Sequence, residues 1–347
     1  MTSYETVKTQ LEKTPRSWLI TGVAGFIGSH LLEALLTLNQ RVTGLDNFAT
    51  GFQKNLDAVR SKVTPDQWSL FRFVEGDICS TEDCRRAFDE NSEPIDYVLH
   101  HAALGSIPRS LADPLATHDT NITGFIKMLI ASHEHRVKKF VFASSSSVYG
   151  NSPDLPKSES VIGQPLSPYA LTKSVNEQYA EVFAKCFNLG YVGLRYFNVF
   201  GPRQNPAGAY AAVIPKWIDS MIRNEAIHVN GDGSTSRDFC YVANVVQANI
   251  LAATCAEETA RNQIYNIALG DRTSLNELQQ LIYDTLLQDL PGLHKMAPVY
   301  QNERPGDVKH SLANIAKAKS LLGYTPSAFI ASGLKNTCQW FIESSKT

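Results

Sequence analysis

A short apolar run, Ser17-Trp-Leu-Ile20, leads directly into Thr21-Gly22-Val-Ala-Gly25-Phe-Ile-Gly28 and then into leucines at positions 31, 32, 35 and 36. This succession of strand, glycine loop and amphipathic helix constrains the chain more than any other stretch, because it leaves a helix N-terminus open to an anion. Gly22 permits a tight turn, Gly25 lets backbone approach a pyrophosphate, and Gly28 lets the helix pack closely on the sheet. The spacing is G-x-x-G-x-x-G, not G-x-G-x-x-G. A second strand over 41–45 ends at Asp46, where a carboxylate can accept both hydroxyls of an adenosine ribose and would repel a 2′-phosphate. The pattern predicts a dinucleotide site that favours NAD over NADP. A tight turn capped by Asp46 is the plainer alternative.

Two more strands keep the rhythm, 71–74 ending in Gly76-Asp77-Ile78 and 97–100 ending in His101-Ala102-Ala103. Ligands sit at the carboxyl ends of parallel strands. Asp77 can take the adenine amino group or cap a turn, and Ala102 and Ala103 can let a cofactor pass close to backbone or serve packing. Alternation of strands and helices from 17 to about 197 predicts an α/β fold with a doubly wound parallel (Rossmann) sheet. The expected division is a nucleotide domain of 1–198 plus about 238–270, and a smaller α/β C-terminal substrate domain of about 199–237 plus 271–347. A helix over 242–254 and a strand over 263–268 are expected to return to the first of these. Residues 2–14, with Val7 and Leu11, can form a short helix over it.

Near the middle of the chain, Tyr169-Ala-Leu-Thr-Lys173 follows the serine run 144–147 by about two dozen residues. If Pro168 opens a helix, the four-residue step puts phenol and ammonium on one face. A tyrosine titrates near 10, so work near neutrality needs the phenolate favoured by about 4 kcal/mol. A nearby cation in a site closed to water can supply much of that.

Taken in order, these motifs, with Ser144-Ser-Ser-Ser-Val-Tyr149-Gly150 and Arg195-Tyr-Phe-Asn198-Val-Phe-Gly-Pro202, resemble the extended short-chain dehydrogenase/reductase family over nearly the whole chain. Within it the chain is similar to UDP-hexose 4-epimerases, and most to bacterial UDP-N-acetylglucosamine 4-epimerases. Gly105-Ser-Ile-Pro-Arg-Ser110, Ala211-Ala-Val-Ile-Pro-Lys216, Ser236-Arg-Asp-Phe-Cys-Tyr241 and Arg304-Pro-Gly-Asp307 carry that likeness. The resemblance implies catalytic Ser145, Tyr169 and Lys173. It implies NAD contacts at Gly22, Gly25, Phe26, Ile27, Gly28, Asp46, Asn47, Gly51, Asp77, Ile78, Ala102, Ala103, Thr120 and Val199, besides Tyr169 and Lys173. UDP-sugar contacts are implied at Ser106, Ser145, Ser146, Tyr169, Asn198, Val213, Asn230, Arg237, Arg304, Asp307 and Ser311. Arginine forks suit a diphosphate. Val213 and Asn230 would flank uracil, and Ser311 would leave room for a sugar 2-acetamido group. Related dehydratases and decarboxylases carry an acidic residue just after the catalytic hydroxyl, where this chain has Ser146 and Ser147.

The resemblance also implies a homodimer through helices around 120–133 and 167–187. Ile122, Phe125, Ile126 and Leu129 on the first suit an interface or a core equally. A UDP-sugar uronate epimerase, with Arg109 as a candidate C6 contact, a UDP-glucose epimerase, and a non-catalytic NAD-binding sensor remain as alternatives. At 347 residues, 43% hydrophobic and formal charge −2, the chain has ample core and no basic footprint for nucleic acid. No apolar run reaches membrane-spanning length and Met1-Thr-Ser-Tyr-Glu lacks a signal pattern, so a cytoplasmic protein without a membrane partner is expected. Six scattered cysteines without C-x-x-C read as reduced structural thiols. No metal site is expected, since His100 and His101 point to opposite faces of a strand.

Overall fold

A computed structural model of the chain describes residues 3–89, 93–207, 211–302 and 309–345. Its strands are β1 (Ser17–Thr21), β2 (Arg41–Asp46), β3 (Phe71–Glu75), β4 (Tyr97–His100), β5 (Lys139–Ser145), β6 (Tyr191–Tyr196), β7 (His228–Asn230), β8 (Ser236–Arg237), β9 (Gln263–Ile267), β10 (Thr273–Ser274) and β11 (Val299–Gln301). Seven of them form a doubly wound parallel sheet in the order β3-β2-β1-β4-β5-β6-β9. The chain runs outward through β2 and β3, then crosses back to β4 beside β1. That reversal opens a crevice at the carboxyl ends of β1 and β4, where ligands bind in such sheets. All five residues of β1 are buried, as a strand covered on both faces requires.

One layer packs the Phe26–Thr37 helix through Leu31, Leu32, Leu35 and Leu36 against the sheet, with the Val242–Thr254 helix beside it. The second of these carries no charged residue and is buried along nearly its whole length. The Ser3–Lys13 helix lies against it through buried Leu11. The opposite layer holds Phe125, Met128 and Leu129 with Phe140 and Phe142 of β5. Phe125 and Leu129 are fully buried, so they belong to the core and not to a subunit interface. The helix expected over 120–133 begins as a π-helical stretch, Asp119–Gly124, before the α-helix Phe125–Glu134.

A third apolar cluster gathers the helices Val213–Ile222, Leu275–Asp289 and Ile330–Ser344. Two short sheets accompany it, β7 parallel to β11 and β8 antiparallel to β10. β9 joins β6 at the far edge of the main sheet, with Arg195 opposite Asn266. Among the described residues no helix is long and apolar enough to cross a membrane. All six cysteines are free thiols.

Candidate functional site

The glycine loop is closed by backbone contacts that only glycine admits. Gly22, at φ +72°, donates its N–H to the Leu45 carbonyl at 2.8 Å, and Gly25 donates to the Gly22 carbonyl at 3.1 Å. A Cβ added at Gly28 would lie 2.0 Å from that carbonyl oxygen, and one at Gly22 2.8 Å from the Ala102 nitrogen. No side chain caps the Phe26–Thr37 helix, so its first N–H groups remain available to an anion. Beside it runs a cleft of about 220 Å³ lined in part by Gly22, Gly25, Asp46, Asn47, Asp77 and Ile78. Ala102, Ala103 and Thr120 close its other side. An uncapped helix end, a loop with glycine at 22, 25 and 28 and a carboxylate at the tip of β2 fit a dinucleotide.

Asp46 does more than the sequence implies. Its Oδ2 accepts from the Ala24 N–H at 2.9 Å and its Oδ1 from the Phe48 N–H at 2.8 Å, so it shapes the loop as well as facing the cleft. Burial pushes its pKa up, against those N–H donors. Asp77 caps a turn, accepting from the Cys79 N–H at 2.7 Å, and also receives the Asn47 amide at 2.9 Å. Phe26, Ile27, Gly28, Gly51 and Val199 do not line this cleft. Gly51 packs on Ala24, while Phe26 and Val199 pack on the third apolar cluster.

Tyr169 and Lys173 lie on the helix Pro168–Phe187, which opens with proline after Ser167, whose hydroxyl accepts the Ala170 N–H at 3.1 Å. Ser145 ends β5. Its Oγ accepts from the Ser147 N–H at 3.1 Å and the Ser147 hydroxyl at 2.9 Å, which leaves its own proton for the Tyr169 oxygen. Lys173 is buried, with Nζ donating to the Ala143 carbonyl at 2.8 Å and 5.9 Å from the centre of the Tyr169 ring. The expected phenolate is not how this arrangement rests. Burial pushes the Tyr169 pKa above its usual value, and the Ser145 hydrogen bond only partly offsets this. Burial also lowers Lys173 to about 8, with Glu177 acting to raise it. A phenolate here needs a further positive charge, and the oxidised nicotinamide of NAD carries one.

A second cavity, of about 190 Å³, is lined by Ser146, Ser147, Tyr149, Asn198, Arg237 and Ser311, among others. Among the described residues that line it, none is Asp or Glu. Ser145 precedes one wall residue and Tyr169 precedes another, Ala170. Asn198, at φ +29°, donates its amide to the Asp238 carbonyl at 3.2 Å, and the Ser311 N–H donates to the Ser236 carbonyl at 3.0 Å. Ser106 caps the adjoining helix Ile107–Ala112, at φ +97°. Val213 and Asn230 do not line the cavity; Val213 packs on the third cluster and Asn230 pairs with Gln301. Arg304 and Asp307 lie outside the described residues. A larger groove of about 730 Å³, beside Glu159, Arg195 and Lys317, holds none of the expected site residues.

Several supporting residues escaped the sequence reading because their partners are distant. Asn121 holds the Leu104 N–H at 2.8 Å and Leu104 carbonyl at 3.0 Å, and reaches Thr172 on the Pro168–Phe187 helix at 3.2 Å. Asp238 accepts from the N–H groups of Leu269, Gly270 and Ala313, fastening two loops at the cavity rim. His100 and His101 face opposite sides, His100 toward Phe140 and His101 toward the Tyr196 hydroxyl at 2.9 Å.

Comparison with known proteins places this geometry among relatives. The model of the NAD dependent epimerase/dehydratase family matches residues 18–268. A putative UDP-glucose 4-epimerase of Methanocaldococcus jannaschii is 35% identical over 332 residues, covering 95% of this chain and 99% of its own length. The structure of UDP-N-acetylglucosamine 4-epimerase from Methanobrevibacter ruminantium M1, in complex with UDP-N-acetylmuramic acid, is 37% identical, with a TM-score of 0.85 and coverage of 95% and 99%. UDP-glucose 4-epimerase from Thermotoga maritima, with UDP-glucose, is 36% identical, with a TM-score of 0.84 and the same coverage.

Proposed function

The chain belongs to the NAD-dependent epimerase/dehydratase family, and from that premise we propose that it is a UDP-sugar 4-epimerase interconverting UDP-N-acetylglucosamine and UDP-N-acetylgalactosamine. NAD is the cofactor, and its nicotinamide supplies the acceptor and donor for the hydride of C4. Tyr169 removes the proton of the sugar 4-hydroxyl, and Ser145 donates a hydrogen bond to the same oxygen. Lys173 keeps a positive charge behind the phenol. The resulting 4-keto sugar turns about its diphosphate link and presents its other face, so that C4 would take back the hydride with inverted configuration while Tyr169 returns the proton to the C4 oxygen. Arg237 grips the diphosphate, together with Arg304 by resemblance, and Asp307 contacts the UDP-sugar by resemblance. Asn198, Ser146 and Ser106 border the sugar, and Val213 and Asn230 the uracil. The loops and helices outside the main sheet form the substrate domain.

One observation carries this reading: Ser145 and Tyr169, hydrogen-bonded to each other, directly precede Ser146 and Ala170 on the wall of a small cavity without a described carboxylate, while the Lys173 charge acts on His101 of the dinucleotide cleft. Elimination of water from a sugar needs an acid and a base besides hydride transfer, and that wall offers Ser146 and Ser147 instead. Ser311 on the same wall leaves space for an acetamido group. Exposed Leu171 and Val182, on one face of the Pro168–Phe187 helix, support a homodimer through that face.

Purified protein, without added NAD, is incubated separately with UDP-N-acetylglucosamine, UDP-glucose and UDP-N-acetylglucosaminuronate, and the 4-epimers are resolved by chromatography. Preferential formation of UDP-N-acetylgalactosamine is expected. Preferential turnover of the uronate would replace the substrate, and no epimer from any sugar after NAD is supplied would overturn the reading.

A further inference from the structure

Glu177 stands four residues beyond Lys173 and eight beyond Tyr169, so the three share one face of the Pro168–Phe187 helix. Its side chain is 10% exposed and faces the sheet, where two strands converge on it. Arg195 of β6 clasps it with a fork, Nε to Oε1 at 2.9 Å and Nη2 to Oε2 at 2.7 Å. Ser144 of β5 donates its hydroxyl to Oε1. Ser144 is the chain neighbour of Ser145, and Lys173 bonds the carbonyl of Ala143, the next residue back. One carboxylate thus meets the catalytic helix and both strands at the level of the reacting groups.

We propose that Glu177 is a positioning residue for the acid-base pair, supplying the counter-charge for Lys173 and tying β5 and β6 together beneath Ser145. The inference rests on the reading of Tyr169 and Lys173 as that pair. Among the described residues, Glu177 alone brings a negative charge that acts on Lys173. His100 and His101 at the end of β4 are kept neutral by burial, with Lys173 itself lowering both further. Tyr169 on its own helix is a neutral phenol at rest. Facing Glu177 are Arg195, Ser144 and the Tyr191 ring of β6, and Arg195 is also held by the Glu159 carbonyl at 3.2 Å and stacks on Tyr149. These contacts hold Arg195 in place, and its fork in turn holds the Glu177 carboxylate whose charge acts on Lys173.

The sign of the effect follows. Without the carboxylate, burial acts alone on Lys173, which then loses its proton at lower pH. In protein carrying 13Cε-labelled lysine, with Lys173→Met to assign the signal, the Lys173 titration midpoint is read for wild type and Glu177→Gln. The expected result is a fall on the order of one pH unit, with the alkaline limb of kcat moving by the same amount. At pH 8 the charged fraction would drop from about half to about one-tenth, a roughly fivefold loss of kcat. Glu177→Asp should recover part of the shift. Glu177→Gln leaves Arg195 without a counter-charge, so the double variant Glu177→Gln/Arg195→Gln, which removes both charges, serves where the single one does not fold. An unmoved midpoint in either folded variant overturns the proposal. The titration needs no turnover, so its outcome stands apart from that of the epimerase assay.

Discussion

The dinucleotide side and the sugar side of the crevice are built from different materials. The first is backbone: seven consecutive positions, 22 to 28, fold on themselves so closely that a methyl group at Gly28 would meet a carbonyl oxygen 2.0 Å away. The second is side chain: Ser146, Asn198, Arg237 and Ser311 arrive from four separate segments, held in place by hydrogen bonds between loops. Each side also relies on one buried carboxylate, Asp46 with two N–H donors and Asp238 with three. A backbone site is intolerant of shape change and generic toward ligand. A side-chain site can be retuned one residue at a time, and there selectivity resides.

The sharpest separation comes at the junction of the two sides. Tyr169→Phe removes the proposed proton carrier but leaves both walls intact, so kcat for epimerisation should fall about 10³-fold while bound NAD is retained. Nucleotide content by absorbance, measured beside the rate, checks this. Loss of NAD together with activity would make Tyr169 part of the cofactor wall, and retention of normal epimerisation would remove it from catalysis.

Gly28→Ala tests the backbone side. The new methyl meets the Gly22 carbonyl and the Val23 Cα, atoms that cannot rotate away, so a loss of about 3 kcal/mol and of NAD retention is expected. Gly105→Ala, with nothing within 4 Å of the added Cβ, should change stability by less than about 0.5 kcal/mol. Thermal unfolding of the two variants decides. Equal effects would mean that the close approach at Gly28 carries no special constraint.

Asp238 tests the other side through pH. Burial pushes its carboxyl up to about 6, against the three N–H donors. A carboxyl raised in the folded state lends stability below its unfolded pKa and loses it as pH rises through the folded value. Wild type should therefore lose on the order of 3 kcal/mol from this residue between pH 4 and pH 7, a loss absent from Asp238→Asn. The difference in urea unfolding free energy between the two proteins should shift in favour of the variant by that amount across the interval. A difference that stays constant would show that Asp238 does not ionise in this window.

What was legible in the sequence follows the same division. The glycine loop, Asp46 and the alternation that builds the sheet are local patterns, and the strand order places them at one crevice without further information. Tyr169 and Lys173 were legible because a helix fixes their separation. Asn121 and Asp238 were not, since each acts on groups 17 or more residues away, and Glu177 was not, since the Arg195 that holds it lies 18 residues on and nothing in its neighbourhood advertises that partner. Burial of the Tyr169 phenol, which no local pattern shows, pushes its pKa up against the Ser145 hydrogen bond.

Ser311 makes the smallest and most specific prediction. Its N–H is pinned to the Ser236 carbonyl at 3.0 Å, so the backbone there is fixed and a larger side chain must occupy the cavity it lines. A tyrosine ring in a space of about 190 Å³ would crowd a sugar carrying an acetamido group more than one carrying a hydroxyl. Ser311→Tyr should lower kcat/KM for UDP-N-acetylglucosamine about tenfold relative to UDP-glucose, or about 1.4 kcal/mol of discrimination. The Gly28 cradle lies on the other side of the crevice and should be untouched, so bound NAD should be unchanged. Equal losses on both sugars would mean that the ring disturbs the wall as a whole. A preserved ratio with unchanged rates would place the 2-substituent elsewhere in the cavity, leaving Asn198 and Arg237 as the residues through which selectivity is set.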